Sequence, residues 1–131
     1  MKVLAIVVLL GISITTQASN SKAYKVRGKT YHVLTSNKGF KETGTASWYG
    51  KESGKITASG DVFKPLGVSA AHKTLPLGSK IRVTNLDNGM SLVLKVVDRG
   101  PYAKGRIVDL SYGAAKKLKV KGLAKVKIEG V

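Results

Sequence analysis

The chain has 131 residues and carries 23 lysines and arginines against 7 aspartates and glutamates, so its formal net charge is +16. This length suits one domain, and an apolar fraction of 43% excludes a wholly disordered chain. The absence of cysteine excludes a disulfide framework, a cysteine nucleophile and a metal site built from thiolates. With only two histidines and few acids, we expect neither a metal nor another cofactor.

The first residues are typical of an export signal. Met1-Lys2 gives a positive start, and Val3 to Ile14 is a 12-residue apolar run, shorter than the roughly 20 residues of a spanning helix. Thr16-Gln17-Ala18 then places small residues where a signal peptidase reads them. We predict a signal peptide over residues 1–18 and an exported, periplasmic or cell-wall-associated protein with no stable membrane anchor after cleavage. The alternatives are a buried N-terminal helix and an uncleaved anchor.

The positive charge favours anionic partners. We expect no nucleic acid, because an exported protein seldom meets it and the aromatic residues form no stacking ladder. Cell-wall glycan and other anionic envelope polymers remain as candidates, although a binding protein for anionic polymers, nucleic acid included, stays an alternative on charge alone. The lysines between Lys116 and Lys127 also fit a plainer interpretation, as solvated faces of a helix and a strand.

In chain order, the pattern predicts short strands separated by turns, after a basic N-terminal arm over residues 19–43 with one edge strand at Thr30–Leu34. The predicted strands are Gly44–Tyr49, Leu66–Ala71, Lys80–Leu86, Ser91–Val97, Arg106–Leu110 and Leu123–Ile128, and one helix is predicted at Tyr112–Leu118 with Ser111 as its N-cap. Asp87-Asn88-Gly89 predicts a type I′ hairpin turn, and the strand after it is apolar enough to be buried on both faces. The count indicates an all-β chain folded as a small barrel.

Several motifs then occur in a specific order. They are Ala46-Ser47-Trp48-Tyr49-Gly50, Thr57-Ala58-Ser59-Gly60, the run AAHKTLPLG from Ala70 to Gly78, Val83-Thr84-Asn85, Asp98-Arg99-Gly100-Pro101 and Asp109-Leu110-Ser111. In this order the chain resembles the RlpA-like (rare lipoprotein A) family. The resemblance implies a six-stranded double-psi β-barrel over residues 44–131 with one short helix. It also implies a lytic transglycosylase that cleaves the MurNAc–GlcNAc bond of peptidoglycan and leaves 1,6-anhydroMurNAc ends. We expect a monomer.

The chain departs from the family pattern in three ways. It has no lipobox cysteine, so we expect it not to be lipidated, and we expect no C-terminal glycan-binding SPOR domain of the kind that many family members carry. The loop from Gly50 to Asp61 lacks the family's Phe-His pair and has Asp61 where the family has glutamate. This loop favours an alternative, a non-catalytic, expansin-like module that binds or loosens peptidoglycan.

Asp98 is the strongest candidate for the catalytic acid. Cleavage of a glycosidic bond needs a proton donor, and Asp98 follows an apolar strand where partial burial suits such a role. Of the other acids, Glu42, Glu52 and Glu129 lie in polar or terminal segments, and Asp87 belongs to a turn. A turn-forming aspartate that bonds the next amides is the alternative for Asp98. The resemblance maps the family's catalytic aspartate onto this residue.

The remaining candidates depend more strongly on the resemblance. It gives His72 a catalytic role, in holding Asp98 or the sugar by a hydrogen bond, whereas a lone histidine beside a turn is more often structural. It also gives Asp61 a catalytic role. The substrate-binding candidates are Trp48, Tyr49, Arg99 and Asp109. Trp48 and Tyr49 alternate on one strand, so only one of them can face a given side. Asp109 is alternatively a structural acid paired with Arg99 or Arg106.

Overall fold

A computed structural model describes residues 22–49, 57–60, 64 and 66–131, so the predicted signal peptide and Asp61 lie outside the described residues. The chain divides into two compact units, the first ending at Thr35. In that unit, β1 (Ala23–Val26) and β2 (Lys29–His32) form an antiparallel hairpin. Arg27 and Gly28 both have positive φ in the turn between them. The sequence predicted one edge strand for this segment, and the structure has two.

The second unit is a closed barrel of six strands. They are β3 (Lys41–Trp48), β4 (Ser69–Ala71), β5 (Lys80–Asn85), β6 (Ser91–Asp98), β7 (Arg106–Leu110) and β8 (Ala124–Gly130), with the helix α1 (Tyr112–Lys117) between β7 and β8. Around the barrel the order is β3-β7-β4-β6-β5-β8. β3 with β7 and β4 with β6 are parallel pairs, and the remaining neighbours are antiparallel. The six-stranded double-psi barrel with one short helix is confirmed.

The barrel strands follow the predicted pattern closely, with informative differences at their ends. β7 has the predicted bounds, and β8 turns Ala124, Val126 and Ile128 into the core while its lysines point outward. β3 begins at Lys41, three residues before the predicted start. This extension is polar. It forms a strand because its residues, Lys41 to Thr43, pair in antiparallel order with Glu129 to Lys127 of β8.

The expectation that β6 is buried on both faces is wrong for its first half. Val93 is 39% exposed, whereas Val96 and Val97 are both buried. The register shifts at this point, so that Ala70 lies opposite Val96 but Ala71 lies opposite Asp98. The Ser59 amide also donates to the Val97 carbonyl (3.0 Å), so residues 57–60 lie along this half of the strand. The shift and this added segment explain why two consecutive valines are buried.

The hairpin between β5 and β6 forms as predicted, but its turn is not type I′. Only Gly89 has positive φ, and its amide donates to the Asn85 carbonyl (2.7 Å). The side-chain amides of Asn85 and Asn88 both donate to the Leu118 carbonyl, at 2.9 and 3.1 Å. The Leu118 carbonyl at the end of α1 therefore holds the Asn88 side chain. This contact explains why Asn88 does not adopt the left-handed conformation that an Asn-Gly pair favours.

α1 begins where Ser111 accepts a hydrogen bond from the Ala114 amide, so the predicted N-cap is confirmed. The Ser111 hydroxyl also donates to the Gly67 carbonyl (2.7 Å). Gly113, Ala114 and Ala115 are the buried residues of α1, and Gly113 lies against the main chain of Leu66 and Gly67. None of the described helices is long and apolar enough to cross a membrane.

We predict that Gly113→Ala destabilises the barrel, although alanine favours a helix by about 1 kcal/mol over glycine. A Cβ at residue 113 would lie 2.3 Å from the Leu66 carbonyl oxygen, which belongs to the main chain. Gly122→Ala is the control, because a Cβ there meets no atom within 4 Å. Urea unfolding of both variants and of the wild type measures the change in the free energy of unfolding. An equal or higher stability of Gly113→Ala would contradict the close approach of the chain to α1.

Candidate active site

Asp98 ends β6 at one rim of the barrel, and main-chain groups hold it there. Its Oδ1 accepts hydrogen bonds from the amides of Ala58 (3.1 Å) and Arg99 (3.0 Å). Its carbonyl accepts from the His72 amide (3.0 Å). The bond from Arg99 is the one expected of a turn-forming aspartate, but the bond from Ala58 comes from a segment 40 residues away. The carboxylate is half-buried and fixed by two parts of the chain.

Tyr49 lies beside this carboxylate, at the carboxyl end of β3. Its amide continues the strand by donating to the Leu110 carbonyl (2.8 Å). Burial raises the pKa of Tyr49 well above its ordinary value, and the negative charges of Asp98 and Asp109 and a hydrogen bond to Asp98 raise it further. The phenol is therefore neutral at physiological pH and acts here as a hydrogen-bonding group.

Asp109 lies on β7, close to the same rim. Its Oδ1 accepts a hydrogen bond from the Ser47 hydroxyl and one from Arg106 Nη2 (2.8 Å). Ser47 and Asp109 are directly opposite each other in the parallel pair of β3 and β7. Of the two arginines considered from the sequence, Arg106 is thus the partner. This pairing gives Asp109 a structural role in closing the barrel, and its charge still acts on Tyr49.

His72 is placed near Asp98 by its backbone, whereas its side chain points elsewhere. Nδ1 accepts hydrogen bonds from the amides of Thr74 and Leu75, both at 3.1 Å. Nδ1 therefore carries no proton, and Nε2 donates to Glu42 Oε1 at 2.9 Å. The expected side-chain hydrogen bond from His72 to Asp98 is not the one that forms, because the turn amides and Glu42 occupy both ring nitrogens.

The imidazole of His72 is only 3% exposed, and its ring packs edge-on against Phe40, with 5.3 Å between the centroids. Burial lowers the pKa of His72 below its ordinary value. The contact with Glu42 opposes this change, and the charges of Lys73 and Arg99 reinforce it. His72 is consequently neutral at pH 7.

Arg99 braces the turn that follows His72. Its Nη1 donates to the carbonyls of His72 (3.1 Å) and Leu75 (2.6 Å). Since the Arg99 amide also donates to Asp98, this residue links the His72–Leu75 turn to the carboxylate. The guanidinium, expected to bind substrate, thus makes main-chain contacts with this turn.

Trp48 is on the opposite face of β3 from Tyr49, as the alternation requires. Its ring packs against Tyr112 of α1 with 5.3 Å between the centroids, and Nε1 donates to the Lys121 carbonyl (3.3 Å). Tyr49 is therefore the aromatic residue beside Asp98, and Trp48 belongs to a different surface. Within the described residues, no group of three or more potential metal ligands comes together.

The residue that sequence reasoning missed is Glu42. It lies in a polar stretch, so nothing in the local pattern marks it, yet it pairs with His72, 30 residues away. The signal that could have found it is strand alternation: Glu42 lies on the same face of β3 as Ala46, a buried core residue.

The His72 environment predicts a dependence of stability on pH. Unfolded histidine has a pKa of about 6.5, and the folded value is lower. Below pH 6.5 the unfolded chain therefore binds a proton that the folded chain does not, so the free energy of unfolding falls as the pH drops. The slope from this group approaches at most about 1.4 kcal/mol per pH unit.

His72→Asn should reduce this slope between pH 6.5 and 5, because asparagine does not titrate and its Oδ1 can accept the two turn amides. His32→Asn is the matched control, since His32 is exposed on β2. Urea unfolding at several pH values gives both slopes. If His72→Asn keeps the wild-type slope, His72 is not buried in its neutral form.

Comparisons with known proteins identify the family of this chain. The family model described as lytic transglycolase matches residues 41–129. The endolytic peptidoglycan transglycosylase RlpA of Vibrio cholerae is 51% identical over 112 residues, which cover 83% of this chain and 43% of that protein. The protein of the same name from Pseudomonas aeruginosa is 51% identical over 111 residues, covering 82% and 33%. The chain thus spans less than half the length of these two relatives.

Two solved structures share the fold. A papain inhibitor from Streptomyces aligns with a TM-score of 0.56 and 24% identity, covering 71% of this chain and 96% of its own. An expansin from Clavibacter michiganensis aligns with a TM-score of 0.56 and 20% identity, covering 70% and 50%. With half of the aligned residues identical to RlpA proteins over more than four-fifths of its length, the chain belongs to the RlpA family of double-psi β-barrel lytic transglycolases.

Proposed function

We propose that this chain is an endolytic lytic transglycosylase that cleaves the MurNAc–GlcNAc bond of peptidoglycan strands, with Asp98 as its acid and base. The observation that carries the proposal is the Asp98 carboxylate, held at the barrel rim by two amides beside a neutral tyrosine. The names of the RlpA relatives support the choice of peptidoglycan as substrate. The charge of +16 suits a polymer that bears carboxylates.

One carboxyl group suffices for this reaction. Protonated Asp98 gives its proton to the glycosidic oxygen as the bond from C1 of MurNAc breaks. The resulting carboxylate then takes the proton of the MurNAc C6 hydroxyl, whose oxygen bonds to C1 and closes the 1,6-anhydro ring. The proton returns to Asp98, and no water is consumed. The pairing of Asp109 with Arg106 and Ser47 agrees with a single acid at this rim.

The other site residues receive supporting roles in this proposal. His72 acts as a positioning residue: it fixes the turn whose carbonyls hold Arg99, and Arg99 adjoins Asp98. Tyr49 lies beside the carboxylate as a neutral phenol. Asp61 is retained on the family resemblance as a further catalytic group. We also propose that the protein acts in the cell envelope after removal of residues 1–18.

The alternative is a module that binds peptidoglycan without cleaving it. The loop from Gly50 to Asp61 favours it, because this loop lacks the Phe-His pair of the family pattern. Purified sacculi distinguish the two functions: the proposed enzyme releases fragments with 1,6-anhydroMurNAc ends, which mass spectrometry detects, and a binding module is retained on sacculi without releasing them.

We predict that Asp98→Asn lowers the rate of release by about 10²–10⁴-fold, because asparagine keeps the shape of the side chain but cannot cycle a proton. Binding to sacculi should persist, since the basic surface is unchanged. Rates are measured from anhydro ends released over time.

Asp109→Asn is the matched control, with the same change of charge at the same rim. It should lose stability more than rate, because its carboxylate serves Ser47 and Arg106. A wild-type rate for Asp98→Asn would remove Asp98 from the chemistry and leave Asp61 or Asp109 as the acid. An inactive wild type that binds sacculi would establish the binding module.

A further inference from the structure

A hollow lies between β3 and the end of α1, on the face of β3 opposite to Tyr49. Its volume is about 480 Å³, and its lining includes Trp48, Tyr112, Lys116, Lys119, Val120 and Lys121. None of these residues holds Asp98 or Asp109. The hollow is within the size range of small-ligand sites, about 300–1,000 Å³.

The wall of the hollow is aromatic. The rings of Trp48 and Tyr112 lie 5.3 Å apart at an interplanar angle of 52°, and both side chains are only half-buried. The hydrogen bond from Trp48 Nε1 to the Lys121 carbonyl fixes the indole, leaving its orientation independent of a ligand. Such fixed, partly exposed rings offer an apolar surface that suits the C–H face of a pyranose ring.

The rim of the hollow is cationic, and its charge is not neutralised within the described part of the chain. Lys116, Lys119 and Lys121 are exposed. None of them takes part in the ion pairs formed there, which are His72–Glu42, Arg106–Asp109 and Lys127–Glu129. A carboxylate placed in the hollow would therefore meet three cations without an internal competitor.

Lys119 adds a second, independent observation. Its φ is +57°, a left-handed conformation, directly after Leu118 caps α1. Glycine or asparagine is the usual residue at such a position, because a side chain there costs backbone free energy. The chain carries a lysine at this position, and the lysine lines the hollow. Strained non-glycine residues of this kind are concentrated at functional sites.

We propose that this hollow is a second binding site, separate from the barrel rim that carries Asp98, for a carboxylate-bearing sugar of the peptidoglycan strand. The sugar ring packs against Trp48 and Tyr112, and its carboxylate pairs with the lysines. The choice of glycan rests on the proposed function, whereas the chemistry of the ligand, an anionic pyranose, follows from the aromatic wall and the cationic rim. A site of this kind would hold the strand on the enzyme independently of the bond being cleaved.

Trp48 is the one tryptophan in the sequence, so its fluorescence reports on this wall. The experiment titrates Asp98→Asn protein, which does not degrade the probe, with soluble oligomers of alternating GlcNAc and MurNAc that carry free lactyl carboxylates. We expect a saturable change in emission that weakens with salt. Neutral GlcNAc oligomers of equal length should bind more weakly, and inorganic polyphosphate, an anion without a sugar, should not compete at equal charge.

Variants locate the site. Lys116→Gln with Lys119→Gly should raise the Kd about three- to tenfold, as loss of two exposed ion pairs predicts. Lys38→Gln with Lys41→Gln removes the same charge outside the hollow and should leave the Kd within twofold.

Lys119→Gly alone should raise the melting temperature, since glycine accepts positive φ, while it weakens binding. A purely structural lysine would not combine these effects.

The proposal is overturned if emission does not respond, if both lysine pairs change the Kd equally, or if polyphosphate competes as well as the glycan. The release of anhydro ends by wild-type protein is scored separately. Glycan binding in the hollow without release of anhydro ends would support this site and contradict the proposed enzymatic function. Release of anhydro ends without a fluorescence response would contradict this site and support the enzymatic function.

Discussion

The register shift between β4 and β6 is the constraint on which the candidate site depends. Ala70 pairs with Val96, but Ala71 pairs with Asp98 in place of Val97. This one-residue displacement brings the Asp98 carbonyl to the His72 amide and leaves the carboxylate to the amides of Ala58 and Arg99. Irregular pairing of this kind commonly re-aims a side chain beside an active site. The acid is consequently positioned by the main chain of the barrel.

A second register shift, between β3 and β7, has a parallel effect at the same rim. Thr45 pairs with Arg106 and Ala46 with Val108, after which Ser47 and Asp109 are directly opposite. Each of the two parallel pairs thus places one carboxylate at the rim, and the surroundings of these two carboxylates differ. Asp109 is matched by a guanidinium, whereas Asp98 accepts hydrogen bonds from two main-chain amides and lies beside a neutral phenol. This difference supports the proposal that Asp109 is structural and that Asp98 transfers the proton.

The sequence predicts local features well, because they depend on neighbouring residues. β7 and the Ser111 cap follow from alternation and from hydroxyl chemistry at a helix start. Asp98 can be proposed as the acid from the sequence because it ends an apolar strand within a recognisable motif. The contact between Glu42 and His72 could not be predicted, since it joins residues 30 apart through barrel closure. The turn at Asn88 differed for the same reason, because the end of α1 competes for its side chain.

The proposed active site and the proposed binding site for glycan lie on opposite sides of β3. On one side of β3, Tyr49 belongs to the rim that carries the acid, and on the other, Trp48 belongs to a hollow rimmed by lysines. Consecutive residues of one strand thereby serve two surfaces. If both proposals hold, a glycan strand is bound on one surface while its glycosidic bond is cleaved at the other.

The proposed function requires that one carboxyl group performs both proton transfers and that the sugar's own hydroxyl is the nucleophile. Digestion of sacculi in water enriched in ¹⁸O tests it directly, with mass spectrometry of the new chain ends. We expect 1,6-anhydro ends without any ¹⁸O, because no water enters the proposed reaction. One ¹⁸O atom in each new reducing end would contradict it, since hydrolysis would then require a water and a second group to activate it.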